Sequence, residues 1–532
     1  MKSQQIWLAI VLALALRFPP SAGAVPIRLI DVIPNVFSSE TGQQSESSLA
    51  VNPTNVNQVV LHSGFTNYYR TGDSGASWSL FQNISNNDAS LDWSPGGNAY
   101  TSLMTNFFNP PATISTFTSA NPVTGPNFTL LNTSVYTPTS NSNPQNNIPD
   151  QPWVVTTRVG GTDRIYVGFN DLSAFPGRTA SVRFSIDGGT TWNNEVIERV
   201  TPSGNQDAPA VRVAAIGERI YAVFSRWTAT LPNGDRTATI VVVRDDTGVT
   251  GGPGTRFQAL GANGSTVIAG ITVPFGGTSL GAERLGSGLS IAVDPNNPNK
   301  LFVAAEMVLS GSPRILVMRS LNGGQTWTQV FTTTVASGLP ALSITANGTV
   351  GLLYTTLENG MLLTHFLQTT NDFATRQDEV LSQFVNNNPA IAGNPYIGDF
   401  QDLEAIDNVF FGTFSASNNA NGTLALFPQG ITFLRNFTGT PNQSNFQLTN
   451  LAGGNVSSSI DPFFFSEAAI FAVPEPAALI LLGLGLIGLV ASRRSFSWFD
   501  TENRTDSLVS RGREDAPNER RRQQPFKKGC TP

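Results

Sequence analysis

Cysteine is almost missing: a chain of 532 residues carries 1, Cys530, near its C-terminus. No intrachain disulfide and no thiolate metal cluster can form, so stability has to come from packing. Charge is scarce as well, at 13% Asp, Glu, Lys and Arg, roughly half the share of an ordinary soluble chain. The 31 basic and 37 acidic side chains leave a net charge of −6. So few Lys and Arg cannot build the basic face that nucleic-acid binding requires, which excludes that partner. Histidine is limited to His62 and His365, both in apolar runs where a buried or half-buried ring is expected. With no second soft ligand type, a transition-metal centre is excluded. No phosphate-cradling loop is present, because Gly251-Gly252-Pro253-Gly254 contains proline and is followed by no lysine. No interior segment has a helical period.

What the chain does have is 49 Gly, 34 Pro and 34 Phe, with abundant Asn, Ser and Thr. This composition reads as short strands joined by turns, and 40% hydrophobic residues supply a sizeable core. The two ends differ from the middle. Met1 to Ala24 combines Lys2, an apolar stretch from Ile6 to Leu16 and the small-residue site Ala22-Gly23-Ala24, the pattern of a secretory signal peptide. The mature chain is expected to begin near Val25. At the other end Val473-Pro474-Glu475-Pro476 is followed by the uncharged apolar run Ala477 to Ala491 and by Arg493-Arg494. Counted from Phe471, the run reaches the ~20 residues of a membrane helix, with the arginine pair on the cytoplasmic side.

Pro-Glu-Pro, apolar run and basic stop, in that order, resemble the PEP-CTERM sorting signal of bacterial exported proteins. The resemblance implies recognition by an exosortase, cleavage near Pro474 to Pro476, and release to the cell surface or an exopolysaccharide matrix. One departure is the continuation beyond the arginines: residues 495–532 add Arg520-Arg521-Arg522 and Lys527-Lys528, a charged tail expected to be disordered. The domain reading is therefore a signal peptide at 1–24, a β domain at 25–470, a sorting signal with one transmembrane helix at 471–494, and the tail at 495–532.

The β domain repeats itself. Asp150-Gln151-Pro152 opens one unit and Asp207-Ala208-Pro209 the next; Asp163-Arg164-Ile165-Tyr166-Val167-Gly168-Phe169 in the first corresponds to Glu218-Arg219-Ile220-Tyr221-Ala222-Val223-Phe224 in the second. Ser48-Leu49-Ala50-Val51-Asn52-Pro53 likewise matches Ser290-Ile291-Ala292-Val293-Asp294-Pro295. Units of this length, built from short apolar runs between turn signals, suit the four-stranded blades of a β-propeller.

A third repeat is the most specific. The octets from Thr71 to Trp78, Ser185 to Trp192 and Ser320 to Trp327 all fit S/T-x-D/N-x-G-x-S/T-W, with Asp73, Asp187 and Asn322 at the acidic position. A worn copy at Thr369 to Thr375 keeps Asn371 and Thr375 but has lost the glycine and the tryptophan. These octets resemble the Asp boxes, or BNR repeats, of sialidase-like β-propellers. Physically each is a hairpin device: Asp or Asn accepts the turn's own amides, glycine takes a positive φ, and tryptophan buries a ring in the blade. Their role is thus structural. Strand starts place blades near 48–82, 89–131, 150–199, 207–258, 289–335, 340–381 and 400–437, an all-β propeller of seven blades. The resemblance implies six as the alternative. Val456 to Phe471 and Ile27 to Phe37 are available to close the ring, one strand from each end.

Propeller ligands bind where inner strands begin, and carboxylates gather there: Glu46, Asp92, Asp150, Asp207, and Asp399, Asp402 and Glu404 in one stretch. Such a ring can supply an acid and a base for glycoside cleavage, or hold a hard cation such as calcium. The plain alternative is that each acid satisfies backbone amides at a strand start. A sialidase-type hydrolase also needs three arginines to clamp the sugar carboxylate, and a tyrosine nucleophile paired with glutamate. The Arg-Ile-Pro element of that family is absent, Pro26-Ile27-Arg28 having the reverse order. Arg164 and Arg219 hold equivalent repeat positions, as blade structure would require. Tyr396, beside the Asp399 cluster, is the candidate nucleophile, with Asp150, Asp207 and Asp399 as catalytic acids to consider. The reading is an exported propeller, without a required cofactor, that binds carbohydrate or extracellular polymer; the competing class is a sialidase-like glycoside hydrolase.

Overall fold

A computed structural model describes residues 27–37, 42–106, 111–136, 149–174, 177–275, 280, 288–390 and 397–471. The signal peptide, Tyr396, the Pro-Glu-Pro element, the apolar run, Arg493, Arg494 and the charged tail lie outside them. Within the described residues the only helix is a 3-10 turn at Asn35–Phe37; everything else regular is strand.

The strands form seven four-stranded antiparallel units arranged as propeller blades. Inner strands are Ser48–Val51, Asp88–Trp93, Pro149–Val159, Asp207–Ile216, Leu289–Asp294, Ala336–Ile344 and Asp402–Ile406, in blades numbered 1 to 7. Hydrophobic clusters lie between neighbouring blades, one for each junction round the ring. This explains why strands read as unbroken apolar runs. In blade 5, Leu301, Val303 and Ala305 pack toward blade 4, while Phe302 and Ala304 pack toward blade 6. Both faces of each sheet are buried, so the usual alternation disappears.

The three tryptophan-bearing octets occupy the turn between the third and outer strands of blades 1, 3 and 5. In each, the opening hydroxyl accepts the glycine N–H: Thr71 Oγ1 from Gly75 at 3.0 Å, Ser185 Oγ from Gly189 at 2.8 Å, Ser320 Oγ from Gly324 at 2.9 Å. The Asp or Asn oxygen accepts the N–H four residues on, from Ser77, Thr191 and Thr326 at 2.9, 2.8 and 3.0 Å. Gly189 has φ 92, and a Cβ there would stand 2.4 Å from Leu131 of blade 2; Gly75 has φ 88, and its Cβ would stand 2.7 Å from Phe464 of blade 7. Glycine therefore admits the preceding blade. The worn copy keeps the same bonds, Phe373 N–H to Thr369 Oγ1 at 3.0 Å and Thr375 N–H to Asn371 Oδ1 at 2.8 Å. Phe373 stands at the glycine position with φ 72 and reverses the fit, stacking on Phe331 of blade 5 at 5.3 Å. One expectation needs correction: only Trp78 is buried, at 6% exposure. Trp192 and Trp327 are half-buried, because each covers the rim of a junction rather than its interior.

Blade 7 is not contiguous. It takes two strands from Asp402–Ile406 and Val409–Ser417, a third from Ile460–Ala468 and its outer strand from Arg28–Asp31, with Arg28 opposite Ser466 and Asp31 opposite Phe463. The span read as its second half, up to 437, is instead part of an insertion at 418–459. That insertion pairs Ala425–Leu426 with the outer strand of blade 6 and Thr432–Phe433 with Arg28–Asp31. It also sends Arg435 between Asp31 and Asp461, and all three side chains are fully buried. Long-range closure costs loop entropy that no local pattern displays, which is why the sequence shows the closing strands but not the clamp.

Candidate functional site

The inner strands present one edge to a central channel, where their amides have no ladder partner. Polar side chains of the adjacent blade fill that role. Asp402 Oδ2 accepts the Leu49 N–H at 3.1 Å and the Ser48 hydroxyl at 2.8 Å, and Glu404 Oε2 accepts the Val51 N–H at 2.9 Å. Ser48 Oγ in turn accepts the Leu91 N–H at 3.1 Å, and Ser90 Oγ the Val154 N–H at 2.8 Å. Asp92 accepts both the N–H and, at 2.7 Å, the hydroxyl of Thr156. Burial raises the carboxyls of Asp92 and Asp402 to about 6, against the pull of those donors. It also holds Glu404 well above the usual carboxylate range, helped by the charges of Asp92 and Asp402. Asp92, Asp402 and Glu404 thus stitch blade to blade.

A cavity of about 480 Å³ opens along these strands, with Trp153, Arg212, Asp399 and Phe400 on its wall. Arg212, 4% exposed, rises between Val211 and Val213 on the inner strand of blade 4. Its guanidinium lies 4.5 Å from the Trp153 ring centre and 5.7 Å from that of Phe400. Nη2 donates to Gln151 Oε1 at 2.9 Å, and Nη1 has no partner. Gln151 Nε2 donates to Asp399 Oδ2 at 3.2 Å and its N–H to Asp88 Oδ2 at 3.2 Å, which links blades 2, 3, 4 and 7. Burial lowers the Arg212 pKa to about 10, while Asp402, Asp88, Asp399 and Asp150 pull it back up.

The backbone is strained at this end. Glu46, just before the inner strand of blade 1, and Gln151 and Leu339, at register breaks within the inner strands of blades 3 and 6, have φ of 57, 47 and 58, in the left-handed region that non-glycine residues rarely occupy. Each is held by a carboxyl contact: Glu46 Oε1 accepts the Asp399 N–H at 3.3 Å, and Glu306 Oε1 accepts the Leu339 N–H at 2.7 Å. Strain held in place by surrounding bonds concentrates at sites of function.

Asp150, Asp399 and Glu46 therefore meet near Arg212, and Asp92 and Asp402 form the wall beside them. Asp207 does not join them. Its Oδ2 accepts the Thr179 and Ala180 N–H groups at 2.9 and 3.0 Å, and burial, reinforced by Glu198, raises its pKa. Asp150 and Asp207 share a repeat position, yet only Asp150 lies within Coulombic reach of Arg212. Arg212, Trp153, Gln151, Asp88 and Phe400 were not read from the sequence as site residues. The available signal was a lone arginine inside Val211-Arg212-Val213. Arg164 and Arg219 tie blades together, Arg164 to Glu218 of blade 4 at 3.1 Å and Arg219 to Asn299 of blade 5 at 2.8 Å, while Asp246 of its own blade holds Arg219 at 2.7 Å. His62 is fully buried, which lowers its pKa to about 3. His365 stacks on Tyr354 at 4.9 Å, away from the cavity. Among the described residues no group of three or more His, Cys, Asp or Glu is placed to hold a metal ion.

The chain matches the PEP-CTERM protein-sorting motif over residues 472–494. That motif marks export and surface sorting through exosortase-type machinery. No curated protein matches the chain. Among solved structures, a Dyadobacter fermentans protein of unknown function aligns over 84% of this chain and 100% of its own, at 13% identity and a TM-score of 0.41. An ulvan lyase of a polysaccharide lyase family aligns over 70% of this chain and 92% of its own, at 9% identity and a TM-score of 0.43. An α-L-arabinofuranosidase of Fusarium graminearum aligns over 70% and 91%, at 13% identity and a TM-score of 0.35.

Proposed function

We propose that this exported, surface-sorted propeller binds carbohydrate or extracellular polymer in the cavity where its inner strands begin, and does not cleave it. The observation that carries this reading is the Trp153, Arg212 and Phe400 stack set among Asp88, Asp150 and Asp399. An aromatic surface beside convergent hydrogen-bonding groups is what a sugar ring needs. Catalysis is a poorer fit, because Asp92, Asp402 and Glu404 already hold backbone and hydroxyl donors, and the cavity wall includes a single arginine among the described residues. The shared bonding of the four box turns supports kinship with Asp-box propellers. On this reading residues 1–24 are removed on export, the transmembrane helix lies within residues 471–494, and exosortase-type processing falls near Pro474 to Pro476. A glycan array and a sialoside hydrolysis assay on the full chain test it. Binding lost in Trp153→Ala, with no turnover, is the expected result; turnover of a sialoside would replace the binding module with a hydrolase.

A further inference from the structure

Resting on the binding reading above, we infer that the cavity takes a neutral, hydroxyl-rich saccharide and rejects uronate-, sialate- and sulfate-bearing ones. The argument is the charge of the wall. Asp92, Asp399, Asp402, Glu404 and Asp407 line the cavity against Arg212 as the only basic residue among those described there. Asp88 and Asp150 also lie within Coulombic reach of that guanidinium. The single positive charge is thus outnumbered before any ligand arrives. A site built to clamp an anion has the opposite balance, with arginines in excess and in bidentate geometry. An incoming carboxylate here would be desolvated beside like charges, an arrangement that is strongly disfavoured.

A sugar hydroxyl meets the same wall well, because it both donates and accepts. Carboxylate oxygens accept its O–H, and the partnerless Nη1 of Arg212, buried on the wall, needs an acceptor. Left unmatched, such a buried donor carries a desolvation cost that a hydroxyl oxygen removes. Trp153, half-buried on the same wall, offers the apolar surface against which the C–H face of a pyranose packs. Arg212 is then an internal counter-ion with one donor to give, not an anion hook.

The test uses the full chain and matched probes: gluco-, xylo-, manno- and galacto-oligosaccharides, the corresponding oligoglucuronates and oligogalacturonates, and lactose beside sialyllactose. At neutral pH at least one neutral series should bind about tenfold or more tighter than its acidic counterpart. That ratio should narrow at about pH 5, as Asp92 and Asp402 on the wall, raised by burial to about 6, take up protons and the repulsion fades. Asp399→Asn should narrow it at neutral pH, and Trp153→Ala should weaken the neutral probes about tenfold or more. Acidic probes that bind as tightly as neutral ones, or a ratio unmoved by both pH and Asp399→Asn, would overturn the inference and leave the binding reading standing. Absence of binding by every probe would overturn the binding reading itself. Should Asp399→Asn fail to fold, the pH series on the unaltered chain decides the matter.

Discussion

Blades 1, 3 and 5 and blade 7 secure their outer strands by opposite means. In the first three a single local turn does it: a hydroxyl, an Asp or Asn, a glycine and a tryptophan within one octet bind the outer strand to its neighbour. In blade 7 nothing is local. Residues from both ends of the domain lie side by side, and the long insertion between the blade's second and third strands sends Arg435 into the seam between Asp31 and Asp461. The contrast shows that a ring can be uniform in its blades and still depend on one seam, where failure would open the whole structure.

The largest effect should come from the seam. Arg435→Ala leaves Asp31 and Asp461 buried beside each other without a counter-charge, and a broken buried pair costs about 3–5 kcal/mol. Chemical denaturation of the variant should show this loss; a loss no larger than that of an exposed ion pair would mean the insertion does not clamp the ring.

Next come the tryptophans, which sharpen the difference among the box turns themselves. Trp78 fills the junction of blades 7 and 1 beside Phe464, with ring centres 5.3 Å apart. Trp78→Ala should cost about 3–5 kcal/mol, as other buried aromatic truncations do. Trp192 is half-buried under the Arg183 guanidinium at 4.4 Å, and Trp192→Ala should cost roughly half as much. Equal shifts in thermal unfolding would contradict the different burial of the two rings.

The seam and the box blades should also respond to pH with opposite signs. Burial raises Asp31 to about 7, so below that value the folded state holds a proton that the unfolded chain releases near 4. Its contribution is greatest at low pH and declines as pH rises from about 4 to 7. His62 in blade 1, lowered to about 3, works the other way: the unfolded chain takes its proton near 6.5, so stability falls as pH drops through about 6.5 toward 3. Asp31→Asn should remove the first slope and His62→Gln the second, as read from unfolding midpoints across that range. An unchanged profile in either variant would show that the buried group does not couple to folding.

The smallest effect belongs to the exposed turn acids. Asp187→Ala removes acceptors for the Thr191 N–H and hydroxyl at 2.8 and 2.6 Å, and should cost about 1 kcal/mol, the scale of a lost cap. A cost equal to that of Arg435→Ala would erase the distinction between local turn and long-range seam.

The sequence alone determined what depends on neighbours in the chain. The box turns are legible because every bond in them lies within a few residues, and the glycine, the Asp or Asn and the closing tryptophan each have one conformational reason to be there. The blades are legible because apolar runs separated by turn residues recur at blade length. Ring closure was visible as two apolar strands at the domain's ends. What only the tertiary structure decided depends on residues far apart in sequence. Asp150 and Asp207 are the same position in consecutive repeats, yet one joins the Arg212 cluster and the other holds the amides of Thr179 and Ala180. Arg212 itself becomes a site residue only because blades 2, 3 and 7 place Asp88, Gln151, Trp153, Asp399 and Phe400 around it. Local hydrogen bonds and hydrophobic period are written along the chain; the charge environment of a side chain is the sum over every segment that folding brings within a few ångströms, and no stretch of sequence contains that sum.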